Sequence, residues 1–323
     1  MSKFKAKRDR TMMLNISPFW RRWLAFLGTA LLLISCLHSA SPSMLPAPSA
    51  SATAAIASST PPQDILVTQY SLPSSTVHVA VIPTVTPQRF VIAPLLAEGL
   101  DLLDNWAQQS NAIALLNGGF FDPANQQSTS YVIQHGELTA DPRQNERLVG
   151  NPNLAPYLAQ IFNRAEFRHY RCGSENRYAI ARHLDPIPPT CQLESALGAG
   201  PQLLPELTLE AEGFLAVVNG AVIRDPLGYD RPNARSAVGI LANGDVIWVM
   251  AAQQPEAPRT SGLSLPELAD FMRSLGTVAA MNLDGGSSAA IYYNGQTTYG
   301  KVNEAGNLVI RPIKSILIVQ SIP

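Results

Sequence analysis

Two apolar runs in this chain stop in the same abrupt way. "AIALLNGG" (Ala112–Gly119) closes on Asn117, Gly118 and Gly119, and "TVAAMNLDGGSS" (Thr277–Ser288) closes on Asn282, Asp284, Gly285, Gly286, Ser287 and Ser288. A short apolar run closed by glycines reads as a buried strand ending in a turn. Any fold for this chain must therefore bring two strands out of a core and end them in polar, glycine-rich loops. Such strand ends let backbone amides and short side chains approach a ligand closely. The other reading is a pair of tight Asx turns, which Asn-Gly and Asp-Gly favour in any protein.

Other segments supply partners for these strands. "TVHVAVIP" (Thr76–Pro83) and "RFVIAP" (Arg89–Pro94) read as strands. "LLAEGLDLLDNWAQQ" (Leu95–Gln109) spaces Leu95, Leu96, Leu100, Leu103 and Trp106 as an amphipathic helix would, with Gly99 as the weak point. "SAVGIL" and "DVIWVMAA" flank Asn243-Gly244 and read as a hairpin. "SLPELADFMRSLG" carries a capping box, Ser264 with Glu267, and stops at Gly276. "LGAGPQLL" (Leu197–Leu204) is a glycine-rich approach to a strand, wrongly placed for a dinucleotide fingerprint. Asp141–Leu197 is rich in Arg, Asn, Tyr and Pro with weak periodicity, and reads as an insertion folded over the core, either a lid or a surface excursion.

The first 62 residues have a different character. Seven Lys/Arg against one acid in the first 22 residues precede the apolar run Trp23–Ile34, the arrangement of an export signal and too short for a membrane span; an uncut anchor is the alternative. "LLISC" places Cys36 as in a bacterial lipobox, while "HSA" offers a rival cut after Ala40. Residues 1–36 are thus a signal peptide, and 37–62, almost all Ser, Ala, Pro and Thr, a disordered tether unable to offset its ordering entropy. The globular part spans 63–323 and belongs outside the cytoplasm, in periplasm, envelope or medium, touching membrane only through its leader or a lipid on Cys36. Of 23 Lys+Arg and 24 Asp+Glu, removing the leader's seven and one leaves 16 against 23, a balance that argues against a nucleic-acid partner. Cys172 and Cys191 remain as a lone C-x18-C pair, without the partner pair a zinc site wants. In an exported chain they read as one disulfide, worth ~3 kcal/mol, with two buried free thiols as the alternative.

"RPNARSAVGIL" adds Arg235 at a strand start and Arg231 before it, planar donor forks suited to phosphate or carboxylate unless they are simply a solvated edge. At this point "NGGFFD", "GAGPQLL", "ARSAVGI" and "NLDGGSSAAIYYNG", in that order, resemble the phosphodiester glycosidase family over about Val77 to Val319, apart from the 141–197 insertion. Ser287 stands where that family usually has a third glycine. The resemblance implies an α+β fold, one domain with a mixed β-sheet and packed helices whose strand-end loops form the site. It also implies cleavage of the sugar–oxygen bond of a sugar-1-phosphodiester. Phosphate leaves as a stable anion, so one carboxylate could suffice where glycosidases ordinarily use two. Asp284 is then nucleophile or general base. Arg235, Asn117 and the amides of Gly118, Gly119, Gly285 and Gly286 hold the phosphate beside Asn282, Ser287 and Ser288, and Asp122 is a second carboxylate.

No cofactor or metal is implied, the sequence leaving a divalent ion's assistance open, and the partner is a glycan or sugar-phosphate substrate. Two rivals stand beside this reading. One is a serine hydrolase using Ser287 or Ser288, for which no G-x-S-x-G elbow or placed histidine appears; the other is a non-catalytic envelope glycan-binding module. For the leader, mass spectrometry of the native N-terminus should find lipidated Cys36 or a start at Ser41. A chain retaining Met1 in the cytoplasm would refute export.

Overall fold

The computed structural model describes residues 65–85, 88–110 and 112–322; the signal peptide, Cys36, the cut after Ala40 and the tether lie outside the described residues. The strand Val246–Ala252 shows how the core is built. All seven of its residues are buried. Side chains alternate across a strand, so Val246, Trp248, Met250 and Ala252 enter one apolar cluster and Ile247, Val249 and Ala251 another. Its continuous hydrophobicity follows from burial on both faces.

This strand lies inside a six-stranded sheet ordered Leu66–Leu72, Ser75–Ile82, Val246–Ala252, Arg235–Leu241, Thr277–Asn282, Gln202–Leu204. One face is covered by the helix Leu265–Ser274, which lays down Leu265, Leu268, Ala269 and Met272. The capping box forms: the Glu267 amide donates to Ser264 Oγ at 3.3 Å, and the Ser264 amide to the Glu267 carboxylate at 2.8 Å. The other face meets a second, five-stranded sheet, ordered Gln296–Tyr299, Ala290–Tyr293, Ala114–Asn117, Ile313–Ser321, Phe90–Asp101. Leu116, Ile291, Leu317 and Val319 of that sheet share the first cluster with Trp248 and Met250.

A third sheet is made largely from the stretch read as an insertion. Glu175–Arg182, Ala165–Cys172 and Gln192–Gly198 continue into Val132–Gln134 and Glu137–Ala140. Ala165, Phe167, Leu197 and Val132 join the same central cluster. The segment is thus a wall of the core. Cys172 and Cys191 form a disulfide that ties the end of one of these strands to the entry of its neighbour.

Three expectations need correction. The helix placed over Leu95–Gln109 begins only at Leu103, because the strand Phe90–Asp101 runs on through Leu95, Leu96 and Gly99, paired to Ile313–Ser321. A ladder with a long partner strand prevails over a helical spacing that Gly99 weakens. The sheets are not mixed: every strand pairing among the described residues is antiparallel. The fold is α+β only in the broad sense, since strands dominate and the longest helix among the described residues has 10 residues.

Phe167 tests the role of the third sheet. It is 2% exposed and stacks on Tyr178 at 5.4 Å between ring centroids. Phe167→Ala should cost about 3–5 kcal/mol in urea denaturation. A change below about 0.5 kcal/mol, the usual size at a surface position, would return the segment to the status of a detachable cover.

Candidate active site

The two strand-end loops meet. Asn117, fully buried at the end of its strand, donates from Nδ2 to the Asp284 carbonyl at 2.6 Å. Its Oδ1 accepts from the Ser236 hydroxyl at 2.6 Å and from the Ala290 amide at 3.1 Å. The Asp284 amide in turn donates to the Gly118 carbonyl at 3.0 Å. Gly118 and Gly119 are required by close approach. A Cβ on Gly118 would lie 2.5 Å from Ser315 Oγ and 2.7 Å from its backbone, and one on Gly119 would collide with the Gly198 carbonyl. Their amides are used inside the protein, Gly118 to the Ser315 carbonyl and Gly119 to Ser315 Oγ. Gly286, at φ +58°, turns the second loop and gives its amide to Ala234. Asn282 braces the neighbouring glycine-rich loop through Gly200 and leaves its own buried Oδ1 without a partner.

These bonds fix the Asp284 backbone at the junction; the residue is partly exposed, with protein closely packed around its carboxyl. Burial is the largest influence and pushes its pKa up to about 6, against the Ser288 hydroxyl, the Arg311 charge and the Gly285 amide, which favour the anion. Ser288 Oγ is buried beside it, near enough to act on the carboxylate but not aligned in a formed hydrogen bond. The Gly285 amide, one of those expected to hold phosphate, also lies close enough to Asp284 to favour its anion.

Arg311 is the residue that the sequence reading missed. It lies in the loop before the last strand, half-buried, with its guanidinium 4.9 Å from the Phe121 ring centroid and Nη1 donating to Ser287 Oγ at 3.0 Å. It thus bridges the "NGGFFD" loop and the "DGGSS" loop beside Asp284. No carboxylate lies in ion-pair contact with it among the described residues. The departure from glycine at position 287 supplies the hydroxyl that Arg311 holds.

Arg235 is placed differently from expectation. It is 3% exposed, and its guanidinium donates to the carbonyls of Leu263, Leu227, Gly228 and Arg231 at 2.8–3.2 Å. Burial lowers its pKa to about 10, with Asp225 opposing and Arg231 adding to the fall. Arg235 therefore builds the floor of a cleft of about 640 Å³, whose wall includes Ser287, Asn233 and Lys301. Most of its donors are committed to backbone.

Asp122 lies next to Phe121 on a short strand and pairs with Arg147 at 2.7 Å. Burial would raise its pKa, but the Ala124 amide and Arg147 outweigh it and hold the carboxyl below its ordinary range. No histidine hydrogen-bonds Ser287 or Ser288 among the described residues; His183 pairs with Glu166 and His169 with Asn176. The arrangement a serine nucleophile needs is not assembled. Among the described residues no group of three or more His, Cys, Asp or Glu could hold a metal ion.

A sequence model of the phosphodiester glycosidase family matches residues 110–320. Three solved structures share the fold. The zebrafish N-acetylglucosamine-1-phosphodiester alpha-N-acetylglucosaminidase catalytic domain, auto-inhibited by its pro-peptide, has 18% identity and a TM-score of 0.54, with 79% of this chain and 82% of that one covered. A hypothetical protein from Synechocystis has 17% identity and a TM-score of 0.52, and this chain, covered over 79% of its own length, spans only 61% of it. A presumed exported protein from Burkholderia pseudomallei has 15% identity and a TM-score of 0.56, covering 76% of this chain and 74% of that one. A search of curated proteins returned no match.

The raised pKa of Asp284 has a thermodynamic signature. The native carboxyl holds its proton more tightly than the unfolded one, from 3.8 to about 6, so its contribution is complete below pH 3.8 and is lost as pH rises through 6. Asp284→Asn, which cannot ionise, should melt higher than the parent at pH 8, by up to about 3 kcal/mol, and the gap should close below about pH 4. Thermal melts across pH check this. A variant less stable than the parent at pH 8 would show that the ionised carboxylate is well satisfied.

Proposed function

This chain belongs to the phosphodiester glycosidase family, and we propose that it hydrolyses the glycosidic bond of a sugar-1-phosphodiester, releasing free sugar and a phosphomonoester. The observation that carries this reading is the pairing at the loop junction. A carboxylate on a loop whose backbone is pinned, Asp284, stands in the field of a guanidinium, Arg311, that has no carboxylate in ion-pair contact among the described residues.

Each group has a task that its surroundings suit. Above pH 6 Asp284 is ionised, and it either attacks the anomeric carbon or takes a proton from the water that does. The bond from that carbon to the phosphate oxygen breaks, and its electron pair leaves with the phosphate. Water supplies the hydroxyl of the released sugar, directly or by opening the glycosyl–Asp284 ester. The departing phosphate needs no proton, which is why a second carboxylic acid can be dispensed with. Arg311 stabilises the charge that grows on it. Asp122 stays ionised and orients Arg147 at the rim of the Phe121 loop, a role for a carboxylate other than proton donation. Arg235 acts by shaping the cleft floor. The Cys172–Cys191 disulfide favours an oxidising compartment outside the cytoplasm.

A panel of sugar-1-phosphodiesters, followed by mass for release of free sugar, tests the proposal. The parent should turn over at least one, with kcat/KM falling about tenfold per pH unit below pH 6 as Asp284 takes up its proton. Folded Asp284→Asn should lose about a thousandfold or more in kcat, some 4 kcal/mol of barrier. Near-normal turnover by that variant would make Asp284 a turn residue and end this assignment.

A further inference from the structure

The cleft beyond Ser287 has more charge and more room than one phosphate can use. Four cationic side chains line it, Arg231, Arg235, Arg259 and Lys301, against one carboxylate, Glu304. Arg259 and Glu304 neutralise each other at the exposed rim, 2.6 Å apart. Arg231, Arg235 and Lys301 are left with no carboxylate in ion-pair contact among the described residues. Lys301 is half-buried and held by Asn233 Oδ1 at 2.9 Å, so its ammonium is aimed rather than free to swing. All this sits in an exported part with 16 basic residues against 23 acids, so the local excess of positive charge is opposite to the protein's own balance. The volume, about 640 Å³, falls among sites for whole small molecules, ~300–1,000 Å³.

The cleft touches the junction already described at one residue. Ser287 is a wall of it and at the same time accepts from Arg311, the guanidinium beside Asp284. Resting on the reading that a phosphodiester is cleaved at Asp284, we propose that the cleft binds a second phosphate on the leaving-group side. The substrate is then an oligomer or polymer of sugar phosphates, and Lys301 and Arg231 are residues that select it. The reacting phosphate lies against Arg311, and the next one along the chain lies past Ser287 between Lys301 and Arg231. Arg235 adds its charge from the floor.

Three matched substrates test this: a sugar-1-phosphate esterified to glycerol, to glycerate and to glycerol phosphate. The expected result is kcat/KM about tenfold or more higher for the glycerol phosphate ester than for the glycerol ester, carried by KM, with glycerate between. Lys301→Gln and Arg231→Gln should each remove most of that preference while costing the glycerol ester far less. Equal rates on all three, or equal losses on all three in both variants, would overturn the second site. A glycerate ester as good as the glycerol phosphate ester would overturn the phosphate assignment. Binding of inorganic tripolyphosphate by calorimetry separates this proposal from the hydrolytic one. If no ester is turned over, one-to-one binding that Lys301→Gln weakens about tenfold still supports the cleft, and absence of binding refutes it.

Discussion

Everything at the junction depends on the side chain of Asn117. It is buried at the end of one sheet and makes three hydrogen bonds: to the Asp284 carbonyl in the facing loop, to the Ser236 hydroxyl of the other sheet and to the Ala290 amide of the neighbouring strand. An amide offers donor and acceptor on one planar group, so a single residue can fasten a loop and two strand ends that each need the opposite partner. Beyond Asn117 the pairing with Ile313–Ser321 carries Gly118 against Ser315, and Gly119 lies against Gly198, at distances at which no Cβ fits. The backbone of Asp284 is thus fixed on both sides, its carbonyl by Asn117 Nδ2 and its amide by the Gly118 carbonyl.

Burial at that junction carries an electrostatic cost, on which the proposed role of Asp284 rests. Burial lifts the Asp284 pKa to about 6, and only the Ser288 hydroxyl, Arg311 and the Gly285 amide oppose it. A carboxylate so poorly compensated is a better nucleophile or base than one wrapped in donors, yet it is still ionised at neutral pH. Asp122 illustrates the contrast, satisfied by Arg147 and a backbone amide and held low. The arginines divide in the same way. Arg235 spends its donors on four carbonyls and fixes the loop around it, whereas Arg311, with one hydroxyl bond and a ring beneath it, keeps its charge available.

Much of this was legible in the sequence where local chemistry decides the structure. The hairpin at Asn243-Gly244, the capped helix at Ser264 and the two glycine-closed strands form as their residues dictate. Leu95–Asp101 did not, because its apolar residues fit a helix and a strand alike, and the choice is made by the distant partner Ile313–Ser321. The third sheet was hidden for another reason. Glu166 and Arg168 are fully buried on the strand Ala165–Cys172 and satisfy each other at 2.9 Å, with Arg168 also capped by the carbonyls of Arg182 and His183. Buried charges erase the alternation by which a strand is recognised. Arg311 carried no local signal at all; only the fold brings it over Phe121 and beside Asp284.

The central claim is that the bond broken is the one from sugar carbon to oxygen, made at Asp284 without attack on phosphorus. Turnover of a sugar-1-phosphodiester in water enriched in oxygen-18, with both products weighed, tests it most directly. The account predicts the label in the anomeric hydroxyl of the released sugar and none in the phosphomonoester. Label in the phosphate would mean that water attacks phosphorus, and the chemistry assigned to the Asp284 junction would be contradicted.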